Sequence, residues 1–327
     1  MTTAPRSNDW HDPQWRATAN EWFAATLAAL GTPATGPIEE VRVRPWSVTH
    51  RAPTAAGPRW FKANTAECAY EAGLATALAG WLPGAVLAPL AVDTARGWLI
   101  TADAGPTLRE VIDPDRLVET WADMLRAYAQ LQRSLTVRAD DLVALGVPDV
   151  RVPLLPAHLR DLLADPDVRE ALGPDRIAAL ESTEFERWCA ELAADGLPAS
   201  LQHDDLSDAN VFPEPDDGFR FFDWGDASVA HPFGVLLASL SSAAWFLGVD
   251  RDAPELVRLR DAYLESWSDL GTQRELRRSA TLACRVGRVS KALAWQRALR
   301  DPALPVGDDF RTAVPDWLAE LPKPAIV

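Results

Sequence analysis

The spacing of hydrophobic positions changes about a third of the way along the chain. Residues 10–30 carry large apolar side chains close to helical spacing, which predicts an amphipathic helix that ends at the stretch GTPATGP. Short runs typical of β-strands follow, at residues 38–44, 58–64, 88–93 and 97–103. A helical segment, residues 67–81, separates the second run from the third. This part of the chain therefore predicts a small sheet with one inserted helix.

Helical periodicity dominates the remainder of the chain. Residues 115–132 place their apolar side chains on one face, so a long helix is predicted there. Further helices are predicted at residues 156–165, 174–195, 233–246, 254–270 and 273–300. Between them, ANVFPE and FRFFDWG, joined by the turn PDDG, predict one β-hairpin. The pattern favours an α+β fold of two lobes, a sheet-rich lobe of residues 1–104 and a larger helical lobe of residues 105–327.

Composition narrows the range of partners. With a formal net charge of −15, the chain lacks the basic surplus that nucleic acids and anionic membranes reward, so neither is expected as a partner. No apolar run reaches the about 18 residues of a membrane span, and the N-terminus shows no signal-peptide pattern. The three cysteines lie far apart and lack metal-ligand spacing, which is typical of free, buried thiols in a reducing cytoplasm. We expect a cytoplasmic protein, and the sequence leaves its oligomeric state open.

The stretch LQHDDLSDANVF concentrates polar side chains just before the predicted hairpin. His203, Asp205 and Asn210 fit the pattern H-x-D-x-x-x-x-N, and the later triplet DWG, which begins at Asp223, fits D-x-G. Phosphoryl transfer to a hydroxyl uses an aspartate that accepts the hydrogen bond of the acceptor. It also uses an amide and a carboxylate that hold Mg²⁺ against the phosphates. We therefore predict Asp205 as the catalytic carboxylate and Asn210 and Asp223 as the Mg²⁺ ligands.

Lysine is rare in this chain, which makes its positions informative. Of 32 basic residues only three are lysines, and of these Lys62 lies in the strand-like run PRWFKAN. A lysine on a strand of the other lobe, held by a helical glutamate, pairs with nucleotide phosphates in kinases. Lys62 and Glu71, nine residues later in the predicted helix, fit those two roles.

Together these motifs resemble the aminoglycoside phosphotransferase and choline kinase family, small-molecule kinases of the protein-kinase-like fold. HDDLSDANVF is similar to the catalytic loop HGDLxxxNxx of that family, FFDWGDA to its metal loop xIDWxxx, and RWFKAN with AYEAGL to its lysine strand and glutamate helix. The resemblance implies a bilobal fold, in which a small antiparallel sheet lobe binds the nucleotide and a helical C-terminal lobe carries the catalytic loop and the acceptor site. It also implies ATP or GTP and Mg²⁺ as cofactors. Backbone groups around Thr101, Ala102 and Asp103 are expected to meet the adenine.

The chain departs from the family pattern in several places. Asp204 stands where the family usually has glycine, and a substrate preference of this protein could reside there. The segment expected over the phosphates has no G-x-G-x-x-G, so Ser47 and Thr49 with their backbone N–H groups would cradle the phosphates. Gly234 lies near the position where many members carry an aspartate that supports the catalytic loop. The A-P-E segment of protein kinases is not evident, so a protein substrate is not expected.

The remaining polar residues of the two loops have supporting or open roles. His203 is expected to support the catalytic loop by hydrogen bonding. Asp208 and Asp226 face either the substrate or the metal, or are simply solvated.

We predict an ATP-dependent kinase that transfers a phosphoryl group in line to a hydroxyl of a small molecule, without a covalent enzyme intermediate. Aminoglycosides, amino sugars, choline-like amines and macrolides stay open as acceptors, and the acidic composition leans toward an amine-bearing one. Two alternatives compete, a catalytically silent nucleotide-binding module and a metal hydrolase built on HDD. The hydrolase would need further histidine ligands at helical spacing, which the sequence does not offer.

Overall fold

A computed structural model describes residues 10–215, 218–300 and 308–326. The described part of the chain divides into two compact units. The first contains the residues up to Gly105, the segment Arg220–Gly225 and the end of a long C-terminal helix from Arg297. The second contains the remainder.

The first unit is a five-stranded sheet with two helices. Its elements are α1 (Pro13–Ala29), β1 (Glu39–Arg44), β2 (Ser47–Ala52), β3 (Arg59–Asn64), α2 (Tyr70–Trp81), β4 (Pro89–Asp93) and β5 (Trp98–Ala102). The strands pair antiparallel in the order β1-β2-β3-β5-β4. The predicted α+β class and antiparallel N-terminal sheet are therefore confirmed.

Aromatic packing between α1 and one face of the sheet forms the core of this unit. Phe23 on α1 stacks on Phe61 of β3 with ring centroids 5.5 Å apart, and Trp98 meets Phe61 edge-on at 5.6 Å. Because successive side chains of a strand alternate between the two faces, burying Phe61 against α1 directs Lys62 to the opposite face. The apolar core thereby determines which face carries the predicted site lysine.

One strand of this sheet was not predicted. Residues 44–60 were expected to form a loop over the phosphates, but Ser47–Ala52 are strand β2, paired on both sides. Val48, His50 and Ala52 alternate as buried positions, which is the period of a half-buried strand. The polar His50 hides this alternation in the sequence, and in the fold its Nδ1 pairs with the side chain of Asn20 at 2.9 Å.

The second unit is mostly helical. Its helices are α3 (Leu108–Val111), α4 (Leu117–Leu135), α5 (Ala139–Ala144), α6 (Leu155–Ala164), α7 (Pro166–Glu181), α8 (Phe185–Ala193), α9 (Val235–Leu247), α10 (Pro254–Glu265), α11 (Gln273–Ala298), α12 (Asp308–Arg311) and α13 (Ala313–Ala319). Its short strands are β6 (Ser200–Gln202), β7 (Val211–Pro213) and β9 (Ser228–Ala230), whereas β8 (Phe219–Phe221) begins at Phe219 and continues into the segment of the first unit that starts at Arg220. Strand β6 pairs antiparallel with β9, and β7 pairs with β8 as the predicted hairpin. Two residues of the predicted PDDG turn, Asp216 and Asp217, lie outside the described residues.

The helix predicted over residues 174–195 is wrong, since α7 and α8 are separate helices. Ser182 Oγ donates to the carbonyl of Ala179, and Thr183 Oγ1 donates to that of Leu180, both at 2.8 Å. Such side-chain bonds to preceding carbonyls compete with helix propagation. They coincide with the end of α7 at Glu181.

Two further expectations concern the whole chain. The three cysteines, Cys68, Cys189 and Cys284, are free and buried, as predicted. Burial raises the pKa of Cys189 and of Cys284 to about 12, so both thiols stay protonated near neutral pH. Within the described ranges, no helix combines the length and apolar character needed to cross a membrane.

Candidate active site

In the first unit, a buried lysine is held between two carboxylates. Lys62 Nζ donates to Glu71 Oε2 at 2.7 Å and to Asp223 Oδ1 at 2.5 Å. Burial alone would lower the pKa of Lys62, but the charges of Asp223 and Glu71 outweigh it and raise the pKa above its ordinary value. Lys62 is therefore a fixed ammonium at physiological pH. The structure brings together three residues that the sequence assigned to nucleotide and metal binding.

Glu71 anchors this cluster to the protein. It lies in the first turn of α2, and its Oε2 also accepts the amide of Asn64 at 2.9 Å. Its Oε1 accepts the backbone N–H of Trp224 at 3.0 Å. Burial raises the pKa of Glu71, and the charge of Lys62 acts in the opposite direction. Since both oxygens are occupied by protein donors, Glu71 positions Lys62 and the Asp223 turn.

The turn that carries Asp223 has an uncommon backbone. Among the described residues, Asp223 is the only non-glycine residue with positive φ, at 65°, a region that few residues other than glycine adopt. Tyr70 donates its hydroxyl to the carbonyl of Gly225 at 2.5 Å and so fixes the turn from α2. A β-carbon at Gly225 would lie 3.3 Å from Glu71 Oε2. Gly225 therefore makes a tight approach to Glu71, and backbone strain of the kind seen at Asp223 is found at functional sites.

Ser47 and Thr49 lie on β2 and not in a loop. In the β2–β3 register, Ser47 opposes Asn64 and Thr49 opposes Lys62. Directly opposed residues of antiparallel strands share a face, so both side chains lie on the Lys62 face of the sheet. Their contact with phosphates stays a prediction.

The segment predicted to meet the adenine ends strand β5. Thr101 and Ala102 are its last two residues, paired with Trp60 and Arg59 of β3. The N–H of Asp103 donates to the carbonyl of Pro58 at 3.2 Å. That N–H is used by the chain itself, and the adenine contact stays a prediction.

In the second unit, the catalytic loop follows β6 and exposes one acidic side chain. Of residues 201–210 only Asp205 is exposed, while the residues on either side of it are buried. Asn210 Nδ2 donates to the carbonyl of Asp205 at 2.8 Å and to its Oδ2 at 3.0 Å. Since the amide nitrogen faces Asp205, the amide oxygen of Asn210 points away from it. The loop thus presents one oriented carboxylate and one amide oxygen.

The supporting residues of this loop are buried in different ways. His203 is buried beside Tyr128, with ring centroids 6.3 Å apart, in keeping with a supporting position. Asp208 is buried, and its Oδ1 accepts Arg109 Nε at 2.9 Å and Nη2 at 2.6 Å. Asp226 is half-buried, with its Oδ2 4.0 Å from Lys291 Nζ. Asp208 is therefore not a solvated residue, which was one of the two possibilities left open for it.

Asp204 does not face a substrate, contrary to one expectation from the sequence. It is 2% exposed, and its Oδ2 accepts Ser228 Oγ at 2.7 Å and Ser290 Oγ at 3.2 Å. Gln202 donates its side-chain amide to the other carboxylate oxygen. A carboxylate with three protein donors belongs to the scaffold of the loop, so a substrate preference should not be sought there.

Comparison with known proteins identifies the family. A model of the phosphotransferase enzyme family matches residues 3–278. The chain belongs to this family. No curated protein is significantly similar to this chain in sequence.

Solved structures share the fold of this chain at low identity. The GDP and kanamycin complex of APH(2")-IIia is 14% identical, over 92% of this chain and 97% of that chain, with a TM-score of 0.60. A choline/ethanolamine kinase family protein from Mesorhizobium loti is 17% identical, over 93% of each chain, with a TM-score of 0.53. Amicoumacin kinase hAmiN, in complex with AMP-PNP, Ca²⁺ and Ami, is 11% identical, over 96% of this chain and 97% of that chain, with a TM-score of 0.58. The predicted protein-kinase-like fold is thereby confirmed.

Sequence reasoning missed several residues that hold the candidate site. They are Asn64, Tyr70, Arg109, Ser228 and Lys291, each of which donates to a residue of the catalytic or DWG segments or to their anchor Glu71. For Lys291 a signal existed, because it is one of only three lysines. The others belong to no recognisable motif, and the partners of Tyr70 and Arg109 lie 155 and 99 residues away.

The position of Gly234 gives a stability prediction. A β-carbon there would lie 2.0 Å from Gln202 Oε1, so Gly234→Ala forces Gln202 away from Asp204. We expect the free energy of unfolding, measured by urea denaturation, to fall by about 1–3 kcal/mol. Gly80→Ala is the matched control, because an added β-carbon in this α2 position meets nothing within 4 Å and alanine favours a helix. Equal stability of the two variants would contradict the assigned close packing.

Proposed function

We propose that this phosphotransferase moves the terminal phosphoryl group of ATP, or of GTP, onto a hydroxyl of a small molecule by direct in-line transfer. The observation that carries the proposal is the exposure of Asp205 in the catalytic loop. The residues on either side of Asp205 are buried, whereas Asp205 is exposed and its carboxylate accepts a hydrogen bond from the amide of Asn210. A carboxylate in this state can accept the hydrogen bond of an incoming hydroxyl and orient it.

The first unit supplies the groups proposed for the nucleotide. Lys62 is a buried ammonium whose position is fixed by Glu71, so it can offset phosphate charge without reorganising. Ser47 and Thr49 are proposed to contact the phosphates from the same face of the sheet. Backbone groups of Thr101, Ala102 and Asp103 are proposed to meet the base. The GDP and AMP-PNP named for the similar structures support a nucleotide as the donor.

Asn210 and Asp223 are proposed as the Mg²⁺ ligands. One offers an amide oxygen and the other a carboxylate that is 31% exposed, and hard oxygen donors of this kind suit Mg²⁺, which keeps water and phosphate oxygens as its other ligands. When bound, Mg²⁺ supplies positive charge that neutralises the phosphate oxygens. In the parts of the chain that are described, no three His, Cys, Asp or Glu side chains converge as a metal site.

The acceptor is proposed to be an amine-bearing small molecule. The similar structures include a kanamycin complex and a choline/ethanolamine kinase family protein. A net charge of −15 favours the approach of cationic molecules through long-range attraction.

The test is a nucleotide-consumption screen with ATP and with GTP over aminoglycosides, amino sugars, choline-like amines and macrolides. We expect at least one acceptor to raise consumption and to yield a phosphorylated product by mass spectrometry, and EDTA to abolish the reaction. Reactions without acceptor are the control. Nucleotide binding without any acceptor-dependent consumption would instead support the silent binding module.

A further inference from the structure

Side chains hold the catalytic loop through its backbone carbonyls. Gln132 on α4 donates to the carbonyl of Leu201 at 2.8 Å, and Ser239 on α9 donates to that of Leu206 at 3.1 Å. Lys291 on α11 donates its ammonium to the carbonyl of Asp204 at 2.6 Å. Of these three donors Lys291 alone is charged, and it holds the carbonyl immediately before the proposed catalytic residue.

The environment of Lys291 is specific for a compact cation. Lys291 is 6% exposed. Its Nζ lies 6.0 Å from the ring centroid of Trp317 and 4.0 Å from Asp226 Oδ2. An ammonium is a point charge that can approach a single carbonyl, whereas a guanidinium is a planar fork. Almost all other basic residues of the chain are arginines, so a lysine at this position is consistent with a requirement for a compact ammonium.

Lys291 also contributes a positive charge close to the buried residue Asp204. Asp204 buries a carboxylate, which is costly unless hydrogen bonds and a nearby positive charge offset the loss of water. Ser228 and Ser290 supply hydrogen bonds to the carboxylate, and Lys291 supplies the positive charge at the carbonyl of the same residue. Lys291 therefore brings a positive charge to the same residue whose carboxylate is buried.

Helix α11 is itself fixed in place near Lys291. Arg288, one turn earlier, donates to the carbonyl of Lys323 at 2.7 Å and to that of Pro324 at 2.5 Å. The segment after α13 therefore holds α11, and α11 holds the loop.

We propose that Lys291 is a positioning residue for phosphoryl transfer, acting through Asp204 on Asp205. The carbonyl of Asp204 and the N–H of Asp205 belong to one planar peptide unit. Holding that carbonyl fixes the orientation of the unit and hence the direction of the Asp205 carboxylate. The inference rests on the proposed function, since it assumes that Asp205 orients the acceptor.

The test compares Lys291→Met with the wild type, using Mg²⁺–ATP and the best acceptor from the screen, or hydrolysis of Mg²⁺–ATP by water if none is found. We expect kcat to fall about 10²-fold, the cost of misplacing a reactive group by roughly 1 Å, while both KM values stay near those of the wild type. Arg258→Met is the matched control, because Arg258 is an exposed cation on α10 that pairs with Glu119, and its kcat should not change. An unchanged kcat in Lys291→Met would overturn the inference.

A double-mutant cycle separates positioning from general damage to the fold. If Lys291 acts through Asp205, Lys291→Met should cause no further loss of rate in an Asp205→Asn background. Losses that multiply would overturn the inference. Should Lys291→Met fail to fold, Ser228→Ala removes one donor to Asp204 and should show a smaller loss, again confined to kcat. A wild-type rate in Asp205→Asn alone would refute the proposed function, whereas an inactive Asp205→Asn beside a fully active Lys291→Met would refute only this inference.

Discussion

Replacing Asp205 by asparagine is expected to lower kcat by about 10²–10⁴-fold, the usual contribution of a positioned general base. Asparagine has nearly the same shape, so the contact with Asn210 can be kept in part while the charge that accepts the acceptor's proton is lost. Binding of Mg²⁺–ATP, measured by titration calorimetry, should remain close to that of the wild type, since Asp205 is not among the residues proposed for the nucleotide. The rate is measured with the best acceptor from the screen.

Asp250→Asn is the matched control for this variant. Asp250 is an exposed aspartate beyond α9, outside every segment proposed for the site, and its replacement should leave kcat unchanged. If Asp205→Asn transferred phosphate at the wild-type rate, the catalytic role proposed for Asp205 would be wrong. If it lost nucleotide binding as well, Asp205 would act on the nucleotide and not on the acceptor.

Short-range pattern was sufficient to predict much of the fold and the principal candidate residues. Lys62 and Glu71 are nine residues apart, and a strand followed by a helix brings them together as predicted. Asp223 is 161 residues from Lys62, and only the D-x-G pattern pointed to it. The sequence therefore indicated which residues form this cluster, because each of them belongs to a short motif that can be recognised without knowledge of the fold.

The incorrect predictions have a common physical cause. Whether a polar side chain is buried depends on partners that are distant from it in the sequence. Asp204 was expected to be a place where a substrate preference could reside, yet it is buried, and its donors Ser290 and Lys291 lie 86 and 87 residues away. Strand β2 was missed because its buried polar residue, His50, is satisfied by Asn20 on α1. In both cases a polar side chain is paired inside the protein, and pairing of that kind has no local signature.

The charges around Lys62 do not balance. One ammonium is shared by two carboxylates, of which Glu71 is buried and Asp223 is partly exposed. A cluster arranged for stability alone would balance its charges. The surplus negative charge is understandable if Asp223 is kept for Mg²⁺ and Lys62 for the phosphates, as proposed, since natural proteins accept local destabilisation at functional sites.

Replacing Lys62 by methionine is therefore expected to affect both activity and stability. Loss of one preorganised donor to the phosphates should lower kcat by about 10²–10³-fold, measured by nucleotide consumption. Removing one partner of a buried ion pair should also lower the free energy of unfolding by about 3–5 kcal/mol, because the Glu71 carboxylate remains without its cation. Urea denaturation measures this second effect.

A second substitution separates the two effects. In the double variant Lys62→Met/Glu71→Gln the buried negative charge is gone, and the single carbonyl oxygen of the glutamine can still accept one of the two hydrogen bonds that Glu71 receives from Asn64 and the Trp224 N–H. We expect this variant to regain much of the lost unfolding free energy while its kcat stays low, because the ammonium that the phosphates require is still missing. Recovery of activity along with stability would mean that Lys62 is only a structural residue. Low activity in a stable double variant would mean that the Lys62 charge is required for the reaction itself.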